Sequence, residues 1–161
     1  MNLPDKVLHL LWNLLPKKKE VIRGKEISYL GLPSFMIYGG GLFIRHKKTG
    51  KVMIFLSKTD PFLRYSLYHE HRESILYKRK TDEELFQMVS EGIHLANVIG
   101  RVIIDEEGIK AWIRWQRAHT VAVLDEIELA QEELTADELL AFRKNVVEKQ
   151  RFGYPWMWSN D

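Results

Sequence analysis

The residues best suited to chemistry lie in Tyr68-His69-Glu70-His71-Arg72-Glu73. The segment sits inside a run of helical periodicity, so His69 and Glu73, four positions apart, share one face one turn apart. Both side chains are metal ligands by type. Glu70 follows the first histidine and projects to the side of the pair, where the general base of a metal-dependent hydrolysis would stand. The pattern is His-Glu-x-x-Glu, one letter from the zinc-peptidase His-Glu-x-x-His. His71 falls on the other side of such a helix and reads as a surface residue, while Arg72 can pair with a carboxylate or face solvent.

A second segment supplies more ligand types. In Ala118-His119-x-x-Ala122-x-x-x-Glu126 the spacing puts His119 and Glu126 two turns apart on one helical face, and the small alanines allow a neighbouring helix to come close. If the two faces meet, His69, Glu73 and His119 supply three ligands and leave a fourth position open, as catalytic zinc requires. Glu126 is then a fourth ligand or an outer partner of a ligand. The chain has no cysteine, so a metal must be held by His, Asp, Glu or carbonyl oxygen, and disulfides are excluded. Such a set suits Zn2+, and also admits Mn2+ or Fe2+. The competing reading is a metal-free network in which the same four residues satisfy one another between packed helices.

These residues need elements to hold them, and the pattern predicts an α+β fold with an N-terminal helix, a small mainly antiparallel sheet and a helical C-terminal half. Leu3, Val7, Leu10, Leu11, Leu14 and Leu15 recur at helical spacing and predict a helix that docks on the core. Five runs rich in β-branched and aromatic residues follow: Val21-Ile22, Ile27–Leu30, Phe35–Tyr38, Leu42–Ile44 and Val52–Leu56. Lys47–Lys51, with Thr49-Gly50, reads as an antiparallel hairpin turn. Gly39-Gly40-Gly41 is not followed by Gly-Lys-Ser or Gly-Lys-Thr and reads as a turn or bulge.

From Asp60-Pro61 the spacing becomes helical, with Asp60 as the cap. Thr81–Glu84 opens a helix over about Asp82 to Val98, ended by Gly100; Ile103-Ile104 reads as a linker or short strand. Glu106 to Glu133 reads as a long helix, and Thr135 with Glu138 caps a last one running to about Gln150. At 161 residues the whole reads as one domain: 1–16 a docking helix, 20–57 the sheet, 61–150 helices, 151–161 an aromatic tail that packs back.

A strand ending near Leu56, the Asp60-Pro61 connector and a helix carrying His69-Glu70 resemble the small zincin-like metallopeptidase core over about residues 40 to 80. Within that resemblance His69 matches the first ligand, Glu70 matches the general base, and Glu73 stands where the second histidine would be. His-Glu-x-x-Glu with a later Ala-His-x-x-Ala-x-x-x-Glu also resembles a pattern in metal-binding microbial and phage proteins that have no assigned activity. The resemblance implies a zinc-dependent hydrolase or peptidase acting on a peptide or small molecule.

Charge supplies the other class of function. The 24 Lys and Arg against 22 Asp and Glu leave a formal +2, which gives no global case for nucleic acid. Lys17–Lys19, Lys47–Lys51 and Lys78-Arg79-Lys80 are local basic runs, which read as solvated turns and helix ends. With Trp112, Trp115, Arg114, Arg117, Trp156 and Trp158 they form the alternative, a nucleic-acid or protein-binding module. The N-terminal stretch is interrupted by Asp5, Lys6, His9 and Asn13 and is too short to span a bilayer, so neither an anchor nor a signal peptide is expected, although a reversible membrane-surface contact is a minor alternative. A reducing cytoplasm is compatible with the absence of cysteine.

Overall fold

In a computed structural model of the protein the described residues are 4–37, 40–46, 48–76 and 106–153, with the backbone alone described at 106–117, 120 and 147–153. The expected helix over Asp82–Val98, the Lys78–Lys80 run, Ile103-Ile104, Leu3 and the tail beyond 153 lie outside the described residues, as do the side chains of Trp112, Arg114, Trp115 and Arg117.

The elements are α1 (Asp5–Leu14), β1 (Lys18–Ile22), β2 (Lys25–Leu32), a 3-10 turn (Ser34–Met36), β3 (Gly41–Arg45), β4 (Val52–Ser57), α2 (Leu63–Leu76), α3 (Glu106–Glu133) and α4 (Ala136–Gly153). This is an α+β fold. The strands lie in the order β1-β2-β4-β3. β1 with β2 and β3 with β4 are antiparallel hairpins, and β2 runs parallel to β4 over only Leu30–Leu32 against Phe55–Ser57. Among the described residues no helix is long and apolar enough to cross a membrane.

Both hairpins have a local cause. Arg23 and Gly24 take φ of 50° and 76°, which suits a two-residue turn that matches strand twist and explains a glycine at the second position. The β3–β4 turn closes through Gly50 N–H donating to the His46 carbonyl at 2.9 Å, with His46 Nδ1 accepting from the backbone of Lys48 and Thr49. Of the segment expected as a strand over Phe35–Tyr38, Tyr38 lies outside the described residues and the part before it forms the 3-10 turn at Ser34–Met36, with Phe35 exposed. Pro33 fixes its own φ at −55° and has no N–H for a ladder, so β2 ends there and the chain crosses to the outer side of β4.

Alternation along the strands builds two cores. Ile22, Ile27, Tyr29, Ile54 and Leu56 face the helical side, against Tyr65, Leu67 and Tyr68 of α2, Leu129 and Ala130 of α3, and Phe142 and Val146 of α4. Leu30, Leu32, Ile44, Met53 and Phe55 face the other way, against Leu8 and Trp12 of α1. The docking helix is present, and Leu11 packs partly buried on the core as expected, but the rest of the buried face differs from the one expected. Leu8 and Trp12 are buried, whereas Val7, Leu10, Leu14 and Leu15 are exposed. The Trp12 indole meets the Phe55 ring edge-on at 5.6 Å, and burying an indole outweighs burying a leucine in choosing the face.

α2 lies between the sheet and α3 and is fixed at both ends. Asp60 Oδ1 accepts the Phe62 N–H at 2.9 Å and Oδ2 accepts the Ser66 hydroxyl at 2.5 Å, capping the first turn. Arg64 grips Glu133 with two bonds of 2.8 Å, and Arg72 Nε donates to Asp125 at 2.6 Å. Arg45 of β3 holds the Ser74 carbonyl at the far end. The Thr135–Glu138 capping box starts α4, whose Phe142 packs edge-on against Phe62 and Tyr65 at 5.4 and 5.2 Å.

Candidate metal centre

The ligand types found in the sequence are brought together by the antiparallel contact of α2 and α3. Arg64 and Arg72 are eight residues apart, as are their partners Glu133 and Asp125, so the two ion pairs fix one register between the helices. That register sets His69 and Glu73 opposite Glu126 and His119. Ala118 and Ala122 are buried at the contact and let the backbones approach.

Glu73 Oε2 is the hub. It accepts from His69 Nε2 at 3.0 Å and from His119 Nδ1 at 2.9 Å, the latter across 46 positions of chain. The other nitrogen of His69, Nδ1, lies 2.6 Å from Glu126 Oε2, with the oxygen off the line of the N–H. The two imidazoles meet edge-on with centroids 4.8 Å apart. All four residues are buried, each between 5 and 8% exposed.

Burial by itself disfavours charge on both partners, lowering a histidine pKa and raising that of a carboxyl group. The neighbours overcome it. Against the desolvation, Glu126 and then Glu73 hold the His69 pKa well above its ordinary value. Glu73, likewise desolvated, is held down at about 2 by the bonds from His119 and His69. Protonated His69 between two carboxylates is therefore the state favoured without a metal.

His69, Glu73 and His119 form a buried group that could hold a metal ion, with one ligand atom from each lying within 4.8 Å of the others. The donor chemistry fits. Tetrahedral ligands with bonds of about 2.0–2.1 Å stand about 3.3 Å apart. For a cation to take the place of the two protons, the 2.9 and 3.0 Å contacts at Glu73 would widen by a few tenths and the two imidazole nitrogens, within 4.8 Å of each other, would close towards the same spacing. Glu126 lies outside the group of three. It stands at the remaining nitrogen of His69, which is how a carboxylate fixes the tautomer and ring orientation of a metal-binding histidine.

The remaining sequence candidates are placed elsewhere. Glu70 also lies outside the group: its side chain rests against β3, where a Cβ added to Gly41 would stand 3.2 Å from Glu70 Oε1 and 2.8 Å from Leu56 Cδ2. A glycine is needed there for that close approach. Arg72 pairs with Asp125. His71, expected at the surface, is half-buried; burial, then Lys25 and Arg72, lowers its pKa. The reason is that α2 is covered on the sheet side as well as by α3. Sequence reasoning missed Asp125 and Glu133, for which the signal was the equal eight-residue spacing of acids and arginines on two helical stretches. Compared with protein-family models, curated proteins and solved structures, the chain matches none of them.

Proposed function

We propose that the protein binds one divalent transition-metal ion through His69, Glu73 and His119, with Glu126 orienting His69. The observation that carries this reading is the buried Glu73 oxygen shared by imidazole nitrogens from two different helices. Zn2+ is the first choice for a compact set of two histidines and one carboxylate, with Mn2+ or Fe2+ as alternatives. Three protein ligands leave room for one further ligand, which favours a reactive over a purely structural site.

The proposed activity is zincin-like hydrolysis of a peptide or small molecule. A bound ion would polarise the scissile carbonyl and acidify water. Glu70 is the proposed general base by its place after His69 in the motif, and to act it would have to turn from its position against Gly41 of β3 towards the ion. Glu126 would hold His69 Nδ1, leaving Nε2 for the ion, and His119 and Glu73 would tie the ligand set across α2 and α3.

A second reading has its own support: the four side chains already contact one another in a chain of His–carboxylate pairs without metal. In that case the network would be a structural part of a nucleic-acid or protein-binding module. Elemental analysis of protein purified without chelator or a metal-leaching tag, beside a His69→Ala, His119→Ala double variant, separates the two. Near-stoichiometric metal that is lost in the folded variant supports the site. A stable parent that is metal-free and refuses added Zn2+, Mn2+ and Fe2+ overturns it.

A further inference from the structure

The parallel ladder between β2 and β4 stops after three residue pairs, and towards the β1–β2 turn the two strands part. Continuing the register would pair Ile27 with Val52 and Glu26 with Lys51, yet those residues border a cavity of about 360 Å³. Trp12 of α1 lines the same cavity from one layer and His71 of α2 from the other. A closed sheet would separate these residues, so the cavity is a wedge opened within the sheet. Its volume lies in the range of small-molecule sites.

The polar groups around the wedge are mostly donors. Trp12 is 4% exposed, and its indole Nε1 is buried without a hydrogen-bond partner. His71 Nε2 is likewise buried and without a partner. Lys17 and Lys51 place their ammonium groups 5.5 and 6.0 Å from the centroid of the Trp12 ring. Among the described residues neither lysine pairs with a carboxylate. The one acid on the wall, Glu26, is taken by Lys19 at 2.9 Å. Lys17 already donates to the Trp12 carbonyl at 2.5 Å and the Leu15 carbonyl at 3.3 Å, which leaves one of its three protons for another acceptor. Ile27 and Ile54 give the wedge an apolar wall.

Two ammonium groups without a carboxylate partner, held over the Trp12 ring beside an apolar wall, define a ligand that accepts hydrogen bonds, carries negative charge and has an apolar body. We infer that the wedge between β2 and β4 binds a small organic anion, with its carboxylate or phosphate head at Trp12, Lys17 and Lys51 and its apolar part against Ile27 and Ile54. The site is separate from His69, Glu73 and His119, because His71 points from α2 about 200° around the helix from His69.

The test uses the full chain, labelled with nitrogen-15, with chelator present so that the outcome is independent of metal at the other site. The indole N–H resonance of Trp12 is identified with a Trp12→Phe variant and followed on adding inorganic phosphate, benzoate or chloride at constant ionic strength. The expected result is a saturable shift with phosphate or benzoate and none with chloride. A stronger response to benzoate assigns a carboxylate ligand, and a stronger response to phosphate assigns a phosphate ester. Lys51→Met, at an exposed position where folding should persist, should weaken binding about tenfold, as expected for loss of a hydrogen bond to a charged group. A response that is absent, linear, matched by chloride or unchanged in Lys51→Met overturns the inference.

Discussion

Replacing Glu73 with Gln should destabilise the metal-free protein by about 3 kcal/mol. Glutamine has the shape of a protonated glutamate, so the loss can be compared with the free energy of keeping Glu73 ionised. Its pKa falls from the ordinary 4.5 to about 2, a difference of 2.5. At 1.36 kcal/mol per unit that is about 3 kcal/mol. Bond counting agrees: two hydrogen bonds to a charged acceptor contribute about 1.5–3 kcal/mol each. The assay is urea denaturation with chelator present, and the thermal midpoint should fall by roughly 6–12 °C for a chain of this size. Glu132→Gln is the control, because its pair with Arg23 is largely exposed and exposed pairs are worth about 0–1 kcal/mol. The acid limb carries a further signature. The depressed pKa of Glu73 gives stability that is present above 4.5 and lost as pH falls from there towards about 2, so this dependence should be missing in Glu73→Gln. Wild-type stability within about 0.5 kcal/mol, with the acid dependence intact, would refute the reasoning, since surface changes lie in that range.

Metal affinity should rise with pH through the raised pKa of His69, because its proton must leave before Nε2 can bind an ion; competition with a chromophoric chelator measures this, and a flat profile counts against the site. The same shift gives metal-free stability of the opposite sign, fully present below 6.5 and lost as pH rises through the folded value, visible as an alkaline fall in the urea midpoint. Phe142→Ala removes a fully buried ring that packs on Phe62 and Tyr65 and should cost about 3–5 kcal/mol by chemical denaturation; a loss below about 1 would mean that α4 does not dock as described. Gly41→Ala puts a Cβ 2.8 Å from Leu56 Cδ2 and 3.2 Å from Glu70, and should cost about 1–3 kcal/mol, while an unchanged urea midpoint would show that β3 is not held this close to α2.

What the sequence revealed was mainly local. Asp60 and the Thr135–Glu138 box announced their helices because a cap acts over three or four residues, and Glu106–Glu133 is the span that periodicity predicted. His69 and Glu73 could be paired for the same reason, since helix geometry alone puts them one turn apart. His119 was reachable only through its flanking alanines. The positions of Glu70 against Gly41 and of His71 on the wedge depend on which elements cover α2, and a helix pattern carries no such information. The face of α1 was misread because six leucine and valine positions outnumber Leu8 and Trp12, yet the indole decides the packing. Phe35 has the composition of a strand but follows Pro33, and the crossover to β3 prevailed over residue preference. The parallel pairing of β2 with β4 is non-local and left no trace in spacing.

That pairing also bears on how the chain assembles. Each hairpin joins neighbours in sequence, and isolated hairpins form in about 1–10 μs. The join between them is three residue pairs long and must await closure of the intervening loop. Because α1 packs on Leu30, Leu32, Met53 and Phe55, residues drawn from both hairpins, it can gain its full contact only after that join exists. The short parallel ladder thus makes α1 one of the last of the described elements to settle, and amide protons at Leu30–Leu32 should report the common opening of seam and helix.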